Sequence, residues 1–304
     1  MSFTGYRPSR RTTEDPILYP TSAVPPVSSV TDLSMIPVLD QFTLPFCVEH
    51  AVTTYVMWLY YKQTGKVVLL SPRSLVINVI RMMGSAYVPG GGTAIGTALK
   101  AAQQYGIAED SLLTNDTTLS LEDYTNPALL TDAVNQNALK YRVQNYYFLS
   151  DLSQGSFQQT FSQYGLILYG IHIDNNWWTS VVGNNSWMTA DILPIRPPAS
   201  LTDPTISAHL ICGKGYDTTP FDYFRNEWGT DWGQKGDGWF GSNDVGYVYE
   251  AAVIESLVTP IQQADQIVNT IQKLQDVETP QNTPTIQSII SGLWTQFLSL
   301  FNQQ

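Results

Sequence analysis

Four residues in three separate segments have the side chains that cysteine-dependent catalysis requires. Cys47 lies six residues after Gln41 at the start of a predicted helix, and His209 and Asn226 lie far downstream. Such catalysis needs a thiolate, a base that accepts its proton, a group that orients the base, and donors for the oxyanion. The residue types therefore predict Cys47 as nucleophile, His209 as general base, Asn226 as its orienting residue and Gln41 as an oxyanion donor.

The chain contains two cysteines, Cys47 and Cys212, and three histidines. Two distant cysteines form neither a disulfide framework nor a CxxC metal site, and either thiol could instead be a buried structural residue. Cys47 differs because the positive end of a helix dipole lowers the pKa of a thiol. Strand alternation from His209 turns Cys212 away from the site and predicts core packing for it. His50 and His172 have no catalytic partners in the pattern, which predicts structural or surface roles.

Several short motifs occur around these residues in one order along the chain, and together they resemble the papain-like cysteine peptidases. That family carries Gln six residues before the catalytic Cys, a His followed seven residues later by the Tyr of a Gly-Tyr pair, and an Asn-Ser-Trp-Gly box before a second Trp-Gly. A Gly-Gly that pairs with the substrate backbone and a Leu-Ser at the start of the second helix also belong to its pattern. The residues that match are Gln41 and Cys47, Leu70-Ser71, Gly90 to Gly92, His209 and Tyr216, Asn226-Glu227-Trp228-Gly229, and Trp232-Gly233.

The resemblance implies an α+β fold of two subdomains, with a helical left half, a β-barrel-like right half and an active-site cleft between them. Cys47 would lie on one wall of the cleft and His209 on the other, and the Cys-His-Asn triad would hydrolyse peptide bonds through a thioester. Trp228 would shield the hydrogen bond between Asn226 and His209 from water. The substrate-binding residues that the resemblance implies are Gly90, Gly91, Gly92, Phe46, Trp228 and Trp232.

The chain departs from the family pattern near the nucleophile and in its cysteines. Pro45-Phe46 replaces a Gly-Ser pair, so Phe46 could narrow the cleft, and Val48 replaces a tryptophan. The family's disulfide cysteines are missing, with Leu44 at one such position, which favours a reducing compartment such as the cytoplasm, or a virion. The N-terminal arm is too short for a folded prodomain, but it could lie in the cleft as an extended plug.

Apolar periodicity predicts helices in the first half of the chain and strands in the second. Helices are predicted from about Cys47 to Tyr61, from Ser71-Pro72 onward, and from Thr93 to Tyr105. Helices followed by strands, without regular βαβ alternation, indicate the α+β class. The segment from Asn175 to Thr205 is predicted to be an irregular excursion. The predicted strands are 166–173, 209–216, 221–224 and 238–240.

Composition and proline placement divide the chain into three predicted parts: an extended N-terminal arm (1–30), a papain-like peptidase domain (31–258) and a C-terminal helical tail (259–304). The arm is rich in proline, which prevents helix propagation. The tail contains two amphipathic stretches with a proline-containing break between them. They could fold back on the body or form a docking or self-association surface, since the last helix would expose large apolar residues if left free.

Overall composition narrows the range of partners. Hydrophobic residues make up 43% of the chain and charged residues only 13%, with 15 Lys and Arg, 26 Asp and Glu and a net charge of −11. Nucleic acids and anionic lipids are bound through basic residues, so neither is a predicted partner. No apolar stretch is long enough for a membrane span, no signal peptide is visible, and no cofactor or metal motif is present.

These observations leave three functions open. The first is a cysteine endopeptidase that acts on polypeptide substrates. The second is a catalytically silent papain-like module with a narrowed cleft, which binds peptides or has a structural role. The third is an assembly component, tethered through the tail, whose peptidase domain acts on one partner. The complete set of Cys, His, Asn and Gln favours the first over the second.

Overall fold

The computed structural model describes residues 5–9, 11–19, 25–173, 207–217, 221–241, 248–276 and 283–301. Within these ranges the chain forms eight α-helices and one mixed sheet, in agreement with the α+β class that the sequence predicts. The predicted irregular excursion from Asn175 to Thr205 lies outside the described residues.

The three helices predicted in the first half, which correspond to α1, α2 and α3, begin and end close to their predicted limits. The helix α2 begins at Pro72 because the Ser71 side chain accepts a hydrogen bond from the Ser74 N–H and proline fits the first helical position. The longest of the three, α1, ends at Gly65, whose φ of 69° lies in the left-handed region that favours glycine. The eight helices are α1 (Cys47–Thr64), α2 (Pro72–Met83), α3 (Ile95–Gln104), α4 (Leu121–Tyr124), α5 (Asp132–Ala138), α6 (Gln154–Tyr164), α7 (Pro260–Asp276) and α8 (Thr283–Phe301).

Eight described strands form one sheet, in the order β1-β3-β8-β4-β5-β6-β7, with β2 paired to β5. All pairings are antiparallel except the one between β1 and β3. Because β1 and β7 stand at opposite ends of this path, the described sheet is open, and the prediction of a barrel-like right half is wrong in this respect. The strands are β1 (Ile17–Leu18), β2 (Ser29–Val30), β3 (Val143–Leu149), β4 (Ile167–Ile173), β5 (Ser207–Tyr216), β6 (Phe221–Arg225), β7 (Asp237–Gly241) and β8 (Val248–Leu257).

Two apolar clusters lie on opposite faces of the sheet. Alternation along β5 places Leu210 and Cys212 in the cluster that contains α1, and Ile211 in the cluster that contains α6. The Tyr55 hydroxyl donates to the Leu166 carbonyl at 2.8 Å and so joins α1 to the start of β4. Burial of α1 against the sheet therefore fixes the start of that helix beside the middle strands.

The N-terminal arm is extended, as its composition predicts, but it is held against the body at several points. Strand β1 pairs in parallel with β3, and the Phe148 N–H donates to the Pro16 carbonyl at 2.9 Å. Strand β2 pairs with the end of β5. Tyr6 forms an isolated parallel bridge with Thr93, just before α3. The described arm thus has defined contacts along its length.

The two helices of the tail pack against each other as a hairpin. Ile267 and Ile271 of α7 are buried, whereas Trp294 and Leu298 of α8 are exposed. None of the described helices is both long and apolar enough to span a membrane. Self-association through residues 260–304 stays a prediction.

Candidate active site

Cys47 is the first residue of α1, and its position is fixed by a loop that is bonded to the sheet side of the site. Asp40 and Trp228 form an antiparallel bridge, and the Gln41 N–H donates to the Glu227 carbonyl at 2.8 Å. Phe46, which precedes the helix, makes no side-chain capping bond. The thiol thus lies at the positive end of the α1 dipole, with only 1% of the residue exposed.

His209 and Asn226 are brought together by the pairing of β5 with β6. The Nε2 atom of His209 lies 2.8 Å from Asn226 Oδ1, and the Glu227 N–H donates to the same oxygen at 2.9 Å. An atom that accepts from a backbone N–H must be the amide oxygen, so His209 Nε2 carries the hydrogen and donates. The tautomer that follows leaves Nδ1 of His209 with a free lone pair, which is the form a general base requires.

The indole of Trp228 lies beside the imidazole of His209, with 4.8 Å between the ring centroids and 31° between the planes. Both His209 and Asn226 are buried. Exclusion of water by the indole strengthens the hydrogen bond between these two residues, since the local dielectric is lower. This placement agrees with the shielding role that the sequence suggests for Trp228.

Burial acts against charge on both the thiol of Cys47 and the imidazole of His209. Burial raises the pKa of the Cys47 thiol well above its ordinary value, and nearby Glu49 and Glu227 act in the same direction. Burial lowers the pKa of His209 to about 4. Within the described residues no hydrogen bond joins Cys47 Sγ to the imidazole.

Gln41 is buried in the loop that leads to Cys47. Its Nε2 donates to the Leu44 carbonyl at 2.9 Å, and the Leu44 N–H donates back to the Gln41 carbonyl at 3.0 Å. These bonds fix the loop before the nucleophile. One N–H of the amide is used in this way, and the second is the group that could serve an oxyanion.

The N-terminal arm lies over the nucleophile. Gly5 is buried, and a Cβ added there would stand 2.9 Å from Cys47 Sγ. The Thr93 N–H donates to the Gly5 carbonyl at 3.2 Å, and the Arg7 N–H donates to the Thr93 carbonyl at 2.9 Å. A peptide segment of the protein itself therefore runs hydrogen-bonded beside Cys47, in the place that the sequence offered for a plug.

The solved structures that resemble this chain have the same architecture. Xylellain, a cysteine protease from Xylella fastidiosa, matches with a TM-score of 0.68 at 20% identity over 84% of this chain and 96% of its own. Digestive procathepsin L 3 of Tenebrio molitor matches with a TM-score of 0.60 at 16% identity over 83% and 75% of the two chains. A stem bromelain precursor matches with a TM-score of 0.59 at 16% identity over 84% and 78%.

The chain has a papain-like fold. No protein-family model matches its sequence, and no curated protein matches it either. Identities of 20% and below show the fold alone, so the chemistry has to be argued from the residues of this chain.

The Gly90–Gly92 loop lies beside the arm, and its pairing with a substrate backbone stays a prediction. The residue that pairs with the arm is Thr93, directly after the Gly90–Gly92 run. Gly91 lies so close to the Arg7 guanidinium that a side chain at position 91 would overlap it. The loop therefore accommodates an extended segment through backbone pairing and through the small size of Gly91.

Two of the residues predicted to bind substrate have buried side chains turned into the protein. The Phe46 ring stacks on Tyr124, with 5.5 Å between centroids, in a small cluster on the α2 side. Trp232 packs edge-on against Trp228 and beside Phe224. Both side chains are supports of the site in this state, and Phe46 does not narrow it, because its ring is directed toward Tyr124.

The remaining cysteine and one histidine have structural positions. Cys212 is fully buried in the cluster with α1, which confirms the predicted core packing. His50 is also buried, with Nδ1 2.8 Å from the Phe46 carbonyl and Nε2 3.3 Å from Asn115 Nδ2. His50 is itself in the first turn of α1, and its contact with the Phe46 carbonyl supports the start of that helix. Among the described residues no group of three or more potential ligands could hold a metal ion.

Proposed function

We propose that the protein is a cysteine endopeptidase in which Cys47 is the nucleophile, His209 the general base and Asn226 the residue that orients the imidazole. The observation that carries this proposal is the hydrogen bond from His209 Nε2 to Asn226 Oδ1, which leaves Nδ1 as the acceptor. The position of Cys47 at the first turn of α1, in a fold shared with cysteine proteases, supports the same assignment.

The reaction proceeds by acyl transfer to sulfur. His209 Nδ1 takes the Cys47 proton, and the thiolate attacks the peptide carbonyl to form a tetrahedral intermediate. The Gln41 amide and the Cys47 N–H donate to the oxyanion. The imidazolium then gives its proton to the departing amine, leaving a thioester. Water, deprotonated by His209, hydrolyses the thioester and restores the thiol.

The arm has to move before any substrate can reach Cys47. Gly5 stands where a reacting carbonyl would approach, and the thiol is buried beneath it. Burial is also the main cause of the raised thiol pKa and the lowered imidazole pKa. Displacement of the arm hydrates both groups, which favours the thiolate and the imidazolium together.

The test uses the full chain and its Tyr6→Ala variant, in which the arm loses its largest buried side chain. Casein hydrolysis and mass-spectrometric detection of iodoacetamide adducts are measured at neutral pH for both, with Cys47→Ala and Cys212→Ala as matched variants. We expect hydrolysis and adduct formation to require Cys47, to be faster in Tyr6→Ala, and to be unaffected by Cys212→Ala.

An alkylated Cys47 without hydrolysis of casein in either protein would contradict the endopeptidase assignment. That result would favour a catalytically silent papain-like module, whose thiol becomes accessible when the arm moves but does not turn over a peptide.

A further inference from the structure

A narrow pocket next to Cys47 is filled by a single side chain of the arm, that of Tyr6. The residue follows Gly5, which lies on the sulfur, and it is 3% exposed. The Tyr6 ring lies 5.4 Å from the ring of Tyr249, and its hydroxyl donates to a carboxylate oxygen of Glu250. This pocket is therefore one residue away from the proposed nucleophile along a bound peptide segment.

A glycine in β4 makes room for the tyrosine. A Cβ at Gly170 would stand 2.7 Å from the Tyr6 hydroxyl oxygen and 2.9 Å from the ring carbon that bears it. Such distances are shorter than real Cβ contacts, so any side chain at position 170 would exclude a ring of this length. The pocket is thus shaped for a long aromatic side chain, with Glu250 at its far end.

Among the described residues, the donors to the Glu250 side chain all belong to the arm. The carboxylate is buried, with 3% of the residue exposed. In the described part of the chain its contacts come from the arm: the Tyr6 hydroxyl, the Ser9 N–H at 3.2 Å from Oε2, and Arg11 Nε at 3.9 Å from Oε1. When the arm leaves, Glu250 loses all three.

Water reaches Glu250 when the arm leaves, so an occupant that displaces this water must supply a donor or leave a buried carboxylate unpaired. A side chain with a hydroxyl at the end of an aromatic ring restores the bond, whereas phenylalanine fills the same space and leaves the acceptor unsatisfied. Sites that hydrogen-bond a hydroxyl reject the analogue that lacks it, because the polar group of the site stays unpaired.

We propose that Glu250 is a specificity-determining residue of the candidate active site, and that the pocket selects peptides carrying tyrosine at the position next to the scissile bond. The substrate preference in this inference rests on the proposed peptidase function. The recognition itself depends only on the pocket, so it can be tested by binding as well as by turnover.

The binding test uses the full-length Tyr6→Ala variant, whose pocket is vacant, and measures how N-acetyl-tyrosinamide and N-acetyl-phenylalaninamide slow the alkylation of Cys47 by iodoacetamide. A hydrogen bond to a charged group corresponds to a preference of about 10- to 100-fold for the tyrosine amide. Adding Glu250→Leu should abolish the preference, and Glu250→Gln, which keeps an acceptor, should retain part of it. Glu255→Gln, an exposed site on the same strand, is the matched control.

Equal protection by the two amides, or a preference that survives Glu250→Leu, would overturn the proposal. Stronger protection by N-acetyl-lysinamide than by the tyrosine amide would overturn the choice of tyrosine. Turnover separates this inference from the proposed function. Selective binding of the tyrosine amide without Cys47-dependent hydrolysis would support the role of Glu250 and reject the peptidase function. Cys47-dependent hydrolysis with equal rates for Tyr and Phe peptides would support the peptidase function and reject the role of Glu250.

Discussion

His209, Asn226 and Glu227 form a chain of hydrogen bonds in which each member fixes the next. The backbone N–H of Glu227 identifies the Asn226 oxygen, and that oxygen fixes the tautomer of His209. The Gln41 N–H is bonded to the carbonyl of the same Glu227. One residue thus connects the orienting side of the site to the loop that carries the nucleophile.

Loss of the Asn226 acceptor should affect catalysis more than stability of the fold. In Asn226→Ala, His209 loses its orientation and its preferred tautomer, and we expect kcat/KM for a peptide substrate to fall by about 100-fold or more. The control is Asn145→Ala, since Asn145 is exposed and bonded only to Glu255 in the described residues. An unchanged kcat/KM in Asn226→Ala, with a native circular dichroism spectrum, would reject the orienting role.

At the scale of elements, the arm and strand β4 are matched in shape. Residues 5 to 9 form no helix or long strand. They are held by backbone hydrogen bonds to Thr93 and by the packing of the Tyr6 side chain against Gly170. Such a segment opens at a lower free-energy cost than the core, because few apolar contacts are lost. The arm can therefore leave while α1 and the sheet stay folded.

A methyl group at position 170 should displace the arm. In Gly170→Ala the new Cβ overlaps the Tyr6 hydroxyl and ring, so we expect Cys47 to be alkylated by iodoacetamide several-fold faster than in the wild type. Gly155→Ala is the matched control, since a Cβ there meets nothing within 4 Å. Equal alkylation rates in the two variants would show that the arm tolerates the methyl group without moving.

For the molecule as a whole, four buried titratable groups near α1 and β5 make the folding stability depend on pH. The two carboxyl groups and the two histidines act in opposite directions. Burial raises the pKa of Glu49 from 4.5 to about 7 and that of Glu227 from 4.5 to about 8. Burial lowers the pKa of His50 and of His209 from 6.5 to about 4. The raised carboxyls contribute stability below pH 4.5 that is lost as the pH rises toward 7 and 8. The histidines contribute stability above pH 6.5 that is lost as the pH falls toward 4.

Glu227→Gln isolates one of these contributions, because glutamine has the same shape and does not titrate. We expect the variant to gain stability relative to the wild type as the pH rises from 4.5 to about 8, at about 1.4 kcal/mol per pH unit at most. Urea unfolding at pH 4.5, 6.5 and 8 measures this difference. Glu122→Gln, at an exposed position, should show no such trend. A stability difference that does not change with pH would contradict the burial argument for Glu227.

The local elements of the first half of the chain were predictable from sequence because their signals are local. The Ser71-Pro72 cap, the end of α3 at Tyr105 and the apolar face of α1 each depend on residues within a few turns. The helices α4 to α6 and the strands β3 and β8 were missed, since their apolar patterns are short or interrupted and burial in the sheet decides them. The motifs also predicted Cys47 and its partners as a site, because these residue types occur at the spacings of a known pattern.

The sequence by itself determined the α+β class and the starts of the main helices, and it predicted the candidate set Gln41, Cys47, His209 and Asn226. Only the tertiary structure decided that the sheet is open, that Phe46 turns toward Tyr124, and that the arm lies on Cys47. The Tyr6 to Glu250 bond joins residues 244 positions apart, which no local pattern encodes. Pairings of that kind follow from the packing of whole elements, and they determine both the burial of the thiol and the shape of the pocket beside it.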